Sequence, residues 1–215
     1  MRAPLDLVLV LVVLVDFFLL ASSRPKTGIR AVAVQGALLA ALPVLLAGNG
    51  LHAVHVVALA AGALVVKAIA IPLLMNWATR ESAPHRELAP IVGYASTLFF
   101  GAVGAAVAFT WTSDLPLPIP GRHPMLVPTA ITTAWTGLLL LMTRRKAVTQ
   151  VLGFLVLENG VFVFGQLLAD LMPVMVEAGV LLDLLAAVFV MGLVMFDLQR
   201  AFSSLDTSRL TTLKD

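Results

Sequence analysis

Long apolar runs, separated by short polar or charged segments, follow one another along this chain. A helix that crosses a membrane needs about 20 predominantly apolar residues. Seven runs have or approach this length: Leu5–Leu20, Ile29–Ala47, Leu51–Leu74, Leu88–Trp111, Met125–Met142, Ala147–Leu168 and Met172–Leu198. The pattern therefore predicts an all-α, polytopic transmembrane helix bundle of about seven spans.

The distribution of Lys and Arg predicts how these spans are oriented. Of the fourteen Lys and Arg residues, eleven fall in alternate connecting segments, Arg2 and Arg122 fall in the others, and Lys67 lies within a span. Because basic residues concentrate in cytoplasmic segments, the N-terminus is predicted outside and the C-terminus in the cytoplasm. The first run has the outline of a cleaved signal peptide, but Asp16 within it and the basic cluster after it favour a retained span.

A proline-rich segment, residues 112–124, separates four spans from three. Prolines favour an extended, stiff connection. The chain is predicted to form a single membrane domain, residues 1–215, with a four-helix sub-bundle at 1–111, a three-helix part at 125–200 and a cytoplasmic tail at 201–215. The tail spaces three leucines for one helical face, which fits either a strip that docks a partner or a solvated tail.

Composition narrows the possible functions. Hydrophobic residues make up 60% of the chain and charged residues 12%, against about 25% charged in an average soluble domain. The chain has no cysteine, which excludes disulfides, thiolate-held iron–sulfur clusters and a cysteine nucleophile. Basic residues without aromatic interleaving do not indicate nucleic-acid binding. No catalytic or dinucleotide-binding motif is present, and His52 with His55 lacks further metal ligands, so no catalytic centre, cofactor or metal is predicted in this chain.

Acidic residues interrupt the last two apolar runs, and among them are Glu158, Glu177 and Asp183. A carboxylate near the bilayer centre costs about 2.5–3.5 kcal/mol on insertion scales, and such acids usually face a bundle interior or a water-filled path, where they pair or carry protons. Glu177 and Asp183 are about 120° apart around their helix, so they are not expected to share one partner. The alternative for Glu158 is a permanently neutral group that makes a structural hydrogen bond.

Lys67 carries a basic group into the third apolar run. Its side chain could extend to the cytoplasmic surface, about 12 Å away at Met75, or it could pair with an acid inside the bundle. Pro72 is expected to kink the same helix and to free carbonyl groups near the ammonium group. Asp16 and Asp170 lie toward the ends of their spans and are expected to be interfacial rather than functional.

Three segments of the chain resemble one family of membrane subunits. They read TRRKAVTQVLGFLVLENGVFVFGQ, VEAGVLLDLLAAVFVMGLVMFDLQRAF and SSLDTSRLTTLKD. Together they are similar to hydrogenase-4 component E. The last three spans are also similar to the small three-helix K protein of respiratory complex I and to its counterpart, the C protein, in multisubunit Mrp-type cation/proton antiporters. In the two latter families, acids of the second and third helices belong to a polar axis across the membrane. Glu158 and Asp183 match them by position, with Glu158 about one helical turn late and Asp183 in place of a Glu.

The resemblance implies a non-redox subunit in the membrane arm of a complex-I-like, hydrogenase-type complex of a bacterial inner membrane. Glu158, Asp183, Glu177 and Lys67 would form its proton or ion path. The implied partners are antiporter-like and other membrane-arm subunits, peripheral iron–sulfur or hydrogenase-like subunits, and the lipid bilayer. Two alternatives stay open: a subunit of a stand-alone Na⁺/H⁺ antiporter, and a structural assembly subunit whose acids only hold helices together. The moving ion, H⁺ or Na⁺, is open as well.

Overall fold

A computed structural model describes residues 2–47, 53–81, 91–112, 123–168 and 192 of the chain. Nearly all of these residues are helical, and the described part contains no strand. The elements are α1 (Arg2–Ala21), α2 (Pro25–Ala40), α3 (Leu42–Ala47), α4 (Ala53–Ala63), a π-helical segment (Leu64–Ala70), α5 (Ile71–Glu81), α6 (Tyr94–Thr112), α7 (Leu126–Thr143) and α8 (Ala147–Leu168).

Six stretches of the described chain are long and apolar enough to cross a membrane: Ala3–Ala21, Pro25–Leu46, Val56–Trp77, Tyr94–Thr112, Leu126–Thr143 and Val148–Leu167. They correspond to the first six predicted spans, so the prediction of an all-α membrane protein is confirmed. The predicted seventh span, Met172–Leu198, lies outside the described residues except for Gly192. The count of seven, the orientation and the division into sub-bundles remain predictions.

Prolines define where several of these helices begin or change. Pro25 is at the first position of α2, where a missing N–H removes no helical hydrogen bond. Pro43 follows the turn at Ala41 that separates α2 from α3, and α2 and α3 together form one span. Pro72 comes just after the π-helical segment, in which the Ile71 N–H donates to the Val66 carbonyl, one residue further back than in an α-helix.

Glycine allows α7 and α8 to pack with their backbones close together. A Cβ atom added to Gly153 would lie 2.8 Å from the backbone nitrogen of Leu141, and one added to Gly160 would lie 2.5 Å from that of Ala134. Small residues at a helix interface permit such close approach in membranes. Around this pair, α1 packs against α2, α6 and α7, while α2 packs against α8 and the π-helical segment.

Two apolar clusters fill the bundle, one toward each end. The Leu20 cluster contains Leu19, Leu20, Ile29, Ala31, Val32, Ile71, Met75, Leu139, Leu140, Val151, Leu152, Leu155 and Val156. The Leu9 cluster contains Leu5, Leu9, Val12, Leu39, Leu42, Leu126, Val127, Ala130, Val163 and Leu167.

Polar contacts mark the two ends of the bundle. At the end of the Leu20 cluster, Arg144 Nη2 donates to the Leu20 carbonyl at 2.7 Å. At the end of the Leu9 cluster, His123 Nε2 lies 3.0 Å from Asp6 Oδ1. Because the start of α1 meets the start of α7, and their ends also meet, these two helices run in the same direction.

Candidate functional site

A layer of buried polar side chains crosses the bundle between the two apolar clusters. On α1, α2, α7 and α8 the polar residues lie in sequence between a residue of one cluster and a residue of the other. Each side chain is at most 3% exposed. The name polar layer is used for the six that are linked to one another by hydrogen bonds: Asp16, Gln35, Lys67, Thr133, Glu158 and Asn159.

Lys67 and Glu158 form an ion pair at the centre of the polar layer. Lys67 Nζ donates to Glu158 Oε1 at 2.5 Å, and both side chains are 3% exposed. The same ammonium group donates to Asn159 Oδ1 at 3.1 Å and lies 4.6 Å from the centroid of the Phe162 ring. Two acceptors and an aromatic face therefore surround the cation, which is the arrangement that a buried charge requires.

Helix α8 supplies all three of these contacts from one turn. Glu158 and Phe162 are four residues apart and lie on the same face of the helix, and Asn159 is adjacent to Glu158. Gly160 follows directly, and its missing side chain allows α7 to approach the backbone of α8 at this level.

Helix α2 and the π-helical segment position Lys67 from the other side. A Cβ atom added to Gly36 would lie 2.7 Å from Lys67 Cβ and 3.0 Å from the Lys67 carbonyl oxygen. The backbone of α2 is therefore in direct contact with the lysine. The Ile71 N–H donates to Val66 and Pro72 has no N–H, so neither of them donates to the Lys67 carbonyl. Single π-helical turns of this kind are frequent at functional sites.

Asp16 is part of the polar layer, and its predicted interfacial location is wrong. Its side chain is 1% exposed, and its two carboxyl oxygens accept hydrogen bonds from Gln35 Nε2 and Thr133 Oγ1, each at 2.7 Å. Asn159 Nδ2 in turn donates to Gln35 Oε1 at 3.0 Å. Asp16 continues the buried stripe of α1 that begins at Leu5 and repeats at intervals of four and three residues, so it faces the bundle interior.

The structure brings together two of the four predicted site residues. Lys67 and Glu158 are in direct contact, and Lys67 is buried rather than extended to the surface. Glu177 and Asp183 lie outside the described residues, as does Asp170.

Sequence reasoning missed Gln35 and Thr133 as partners of Asp16. Gln35 is a large polar side chain in the middle of an apolar span, where it needs a hydrogen-bonding partner on another helix. The need for such a partner was the sequence signal from which Gln35 could have been identified as part of the site.

Arg144 is a second buried cation, at the end of the Leu20 cluster. It is the first of three consecutive basic residues that follow α7, yet its side chain is 1% exposed. Besides its bond to Leu20, its guanidinium carbon lies 4.3 Å from the centroid of the Tyr94 ring. Arg144 therefore joins the end of α1, the start of α6 and the end of α7.

The geometry allows a proton to be shared within a charge-balanced pair. Lys67 Nζ and Glu158 Oε1 are within direct transfer distance, and Asp16 adds a second carboxyl group to the same layer. Within the described ranges no cluster of three His, Cys, Asp or Glu side chains could hold a metal ion. Because apolar clusters lie on both sides of the polar layer, the described polar contacts run across the bundle rather than along it.

Two groups of relatives are similar to this chain over most of its length. An uncharacterized protein of Mycobacterium tuberculosis, Rv0085, is 36% identical over 188 residues, which cover 87% of this chain and 85% of that protein. Hydrogenase-4 component E of Escherichia coli K12 is 30% identical over 155 residues, 72% of this chain and 71% of that protein, and the Shigella flexneri protein of the same name matches equally. No protein-family model matches the chain, and no solved structure matches it.

Proposed function

The chain belongs to the hydrogenase-4 component E family, and we propose that it is a non-redox subunit in the membrane arm of a complex-I-like, hydrogenase-type complex. In this proposal it contributes buried charges to proton or ion translocation and has no catalytic centre of its own. Its partners are other membrane-arm subunits, including antiporter-like ones, and peripheral subunits that hold the redox centres. It resides in the bacterial inner membrane.

The observation that carries the proposal is the Lys67–Glu158 pair. A lysine and a glutamate, each 3% exposed, lie within an apolar bundle, where ionisable groups are rare and usually mark ion or proton pathways. A shift of the proton from Lys67 to Glu158 changes the charge distribution of the layer without any large movement. Glu177 and Asp183 are proposed to continue the path on the last span.

A buried ion pair can also be purely structural, and paired variants distinguish the two roles. Removing one partner of a buried pair costs about 3–5 kcal/mol because the other charge is left alone, whereas replacing both partners by apolar groups is often neutral. The singles Lys67→Met and Glu158→Gln are therefore compared with the double variant Lys67→Met/Glu158→Met in the intact complex. Complex assembly is read on native gels, and proton movement is read in inverted membrane vesicles during turnover.

We expect the double variant to assemble as the wild type does and to lose turnover-linked proton movement. Asp183→Asn is expected to behave in the same way. Asp6→Asn serves as the control, because Asp6 is 43% exposed at the end of the bundle, and it should pump normally. A double variant that assembles and pumps like the wild type would leave the pair with a structural role only and would refute the proposal.

A further inference from the structure

Two side-chain amides, those of Gln35 and Asn159, lie between Asp16 and the Lys67–Glu158 pair, and both are oriented in the same direction. Lys67 donates to Asn159 Oδ1, Asn159 Nδ2 donates to Gln35 Oε1, and Gln35 Nε2 donates to Asp16 Oδ1. An ammonium group can only donate and an ionised carboxylate can only accept. The two charges at the ends therefore fix the orientation of both amides between them.

Among the described residues, Lys67 is the cation that this chain of hydrogen bonds links to Asp16. Helix α1 packs mainly against α2, α3, α6 and α7. Of these, α3 and α7 contain no ionisable residue, and α6 contains only Tyr94, its first residue. On α2 the cations Lys26 and Arg30 are exposed. On α1 itself, Asp6 lies ten residues earlier, about 15 Å along the axis, and Arg2 is the first residue of the helix. Arg144, directly after α7, donates to the Leu20 carbonyl one turn beyond Asp16, so its hydrogen bond lies outside the chain of amides.

We infer that Asp16 is a proton-exchanging acid of this subunit, and that the Gln35 and Asn159 amides transmit its protonation to the Lys67–Glu158 pair by reorienting. This inference rests on the proposed function. With Asp16 ionised, Asn159 presents its carbonyl oxygen to Lys67 and stabilises the ammonium form. The observed hydrogen bonds correspond to this state.

Protonation of Asp16 produces the opposite state. The Asp16 hydroxyl donates to Gln35 Oε1, the Gln35 amide N–H donates to Asn159 Oδ1, and the Asn159 amide N–H points at Lys67 Nζ. Since an amide donor disfavours an ammonium group, Lys67 transfers its proton to Glu158 Oε1. The layer gains one proton in total, all three ionisable side chains become neutral, and no proton passes through an amide.

Infrared difference spectroscopy of the full chain in lipid nanodiscs tests the coupling directly. In the wild type, protonation of Asp16 is expected to change the carboxyl band of Glu158 and the side-chain amide bands at the same pH. Asp16→Asn and Glu158→Gln identify the two carboxyl bands by their loss. In Gln35→Met, which interrupts the chain of amides, the two carboxyl bands should titrate independently. Thr133→Val is the matched control, because it removes the other hydrogen bond of Asp16 and leaves the amides in place.

Proton movement in the assembled complex supplies the second measurement. If Asp16 acts through Gln35, the double variant Asp16→Asn/Gln35→Met should lose no more pumping than Asp16→Asn alone, since residues of one network are not additive. Carboxyl bands that still titrate together in Gln35→Met would overturn the inference. The inference would also be overturned if Asp16→Asn pumps normally while Glu158→Gln abolishes pumping. The proposed function would still stand in that case. The proposed function would instead be refuted if the carboxyl bands of the wild type are coupled but pumping is normal in two variants. These variants are Glu158→Gln and the double variant Lys67→Met/Glu158→Met.

Discussion

Lys67 is held away from both ends of the bundle by the side chains that surround it. A lysine within a transmembrane helix commonly extends along the helix to the interface. Here Glu158 and Asn159 accept its hydrogen bonds and Phe162 covers it, so its burial is compensated inside the protein. The site is therefore a property of the bundle as a whole, since the lysine comes from one span and its acceptors come from another.

Arg144 offers a test of a buried charge outside the polar layer. Its guanidinium group donates to the Leu20 carbonyl and lies over Tyr94. A lysine is a single point charge and lacks the planar fork that makes both contacts. We expect Arg144→Lys to lower the free energy of unfolding by about 1–3 kcal/mol, and Arg145→Lys, its exposed neighbour, to change it little. Thermal unfolding in detergent measures both, and equal melting temperatures would contradict this assignment.

The sequence predicts single residues of the site better than it predicts their partners. Lys67 and Glu158 could be found because a charged residue in the middle of an apolar run contrasts with its neighbours. Asp16 was misplaced because α1 is apolar on every side, so its sequence does not show which face is buried. Gln35 and Thr133 are uncharged, and their part in the site depends on which helices are adjacent, which one sequence without its fold does not reveal.

At the scale of helices, the contact between α2 and the π-helical segment determines where Lys67 lies. A Cβ atom at Gly36 would be 2.7 Å from Lys67 Cβ, which is closer than two carbon atoms can pack. Gly36→Ala should therefore displace Lys67 from Glu158. We expect a loss of about 1–3 kcal/mol in unfolding free energy, as for other overpacked positions, together with reduced proton pumping.

Gly62→Ala is the matched control for this substitution. Gly62 lies in α4, on the span that also carries Lys67, and a Cβ atom there would meet nothing within 4 Å. Because alanine favours a helix over glycine by about 1 kcal/mol, this variant should be at least as stable as the wild type. If Gly36→Ala unfolds at the same temperature as Gly62→Ala, the close contact between α2 and Lys67 does not exist.

The helices themselves were predictable because length and apolar composition suffice to identify a span. The internal structure of two spans was not predictable in the same way. The second is divided at Ala41, and the third contains the π-helical segment before Pro72. A proline within an apolar run indicates that the helical hydrogen-bonding pattern must change. Its position alone does not distinguish a kink from a π-helical turn, because the outcome depends on how the neighbouring helices pack against that span.

At the scale of the whole molecule, the two ends of the bundle differ in charge. Arg24 and Arg144 line the same small cavity at the end of the Leu20 cluster, although they are far apart in sequence. The opposite end carries the Asp6–His123 contact. Since basic residues favour the cytoplasmic side, we expect the end with the two arginines to face the cytoplasm.

Cysteine labelling tests this orientation cleanly because the chain has no cysteine of its own. A membrane-impermeant maleimide should label Pro124→Cys in intact cells, and should label Ser23→Cys only in inverted vesicles. Thr212→Cys is expected to behave like Ser23→Cys, since the predicted seventh span would return the chain to the cytoplasm. If Ser23→Cys is labelled from outside, the orientation is the reverse of the predicted one. If Ser23→Cys and Pro124→Cys are labelled from the same side, the parallel arrangement of α1 and α7 is contradicted. If Ser23→Cys and Thr212→Cys are labelled from opposite sides, the chain has six spans rather than seven.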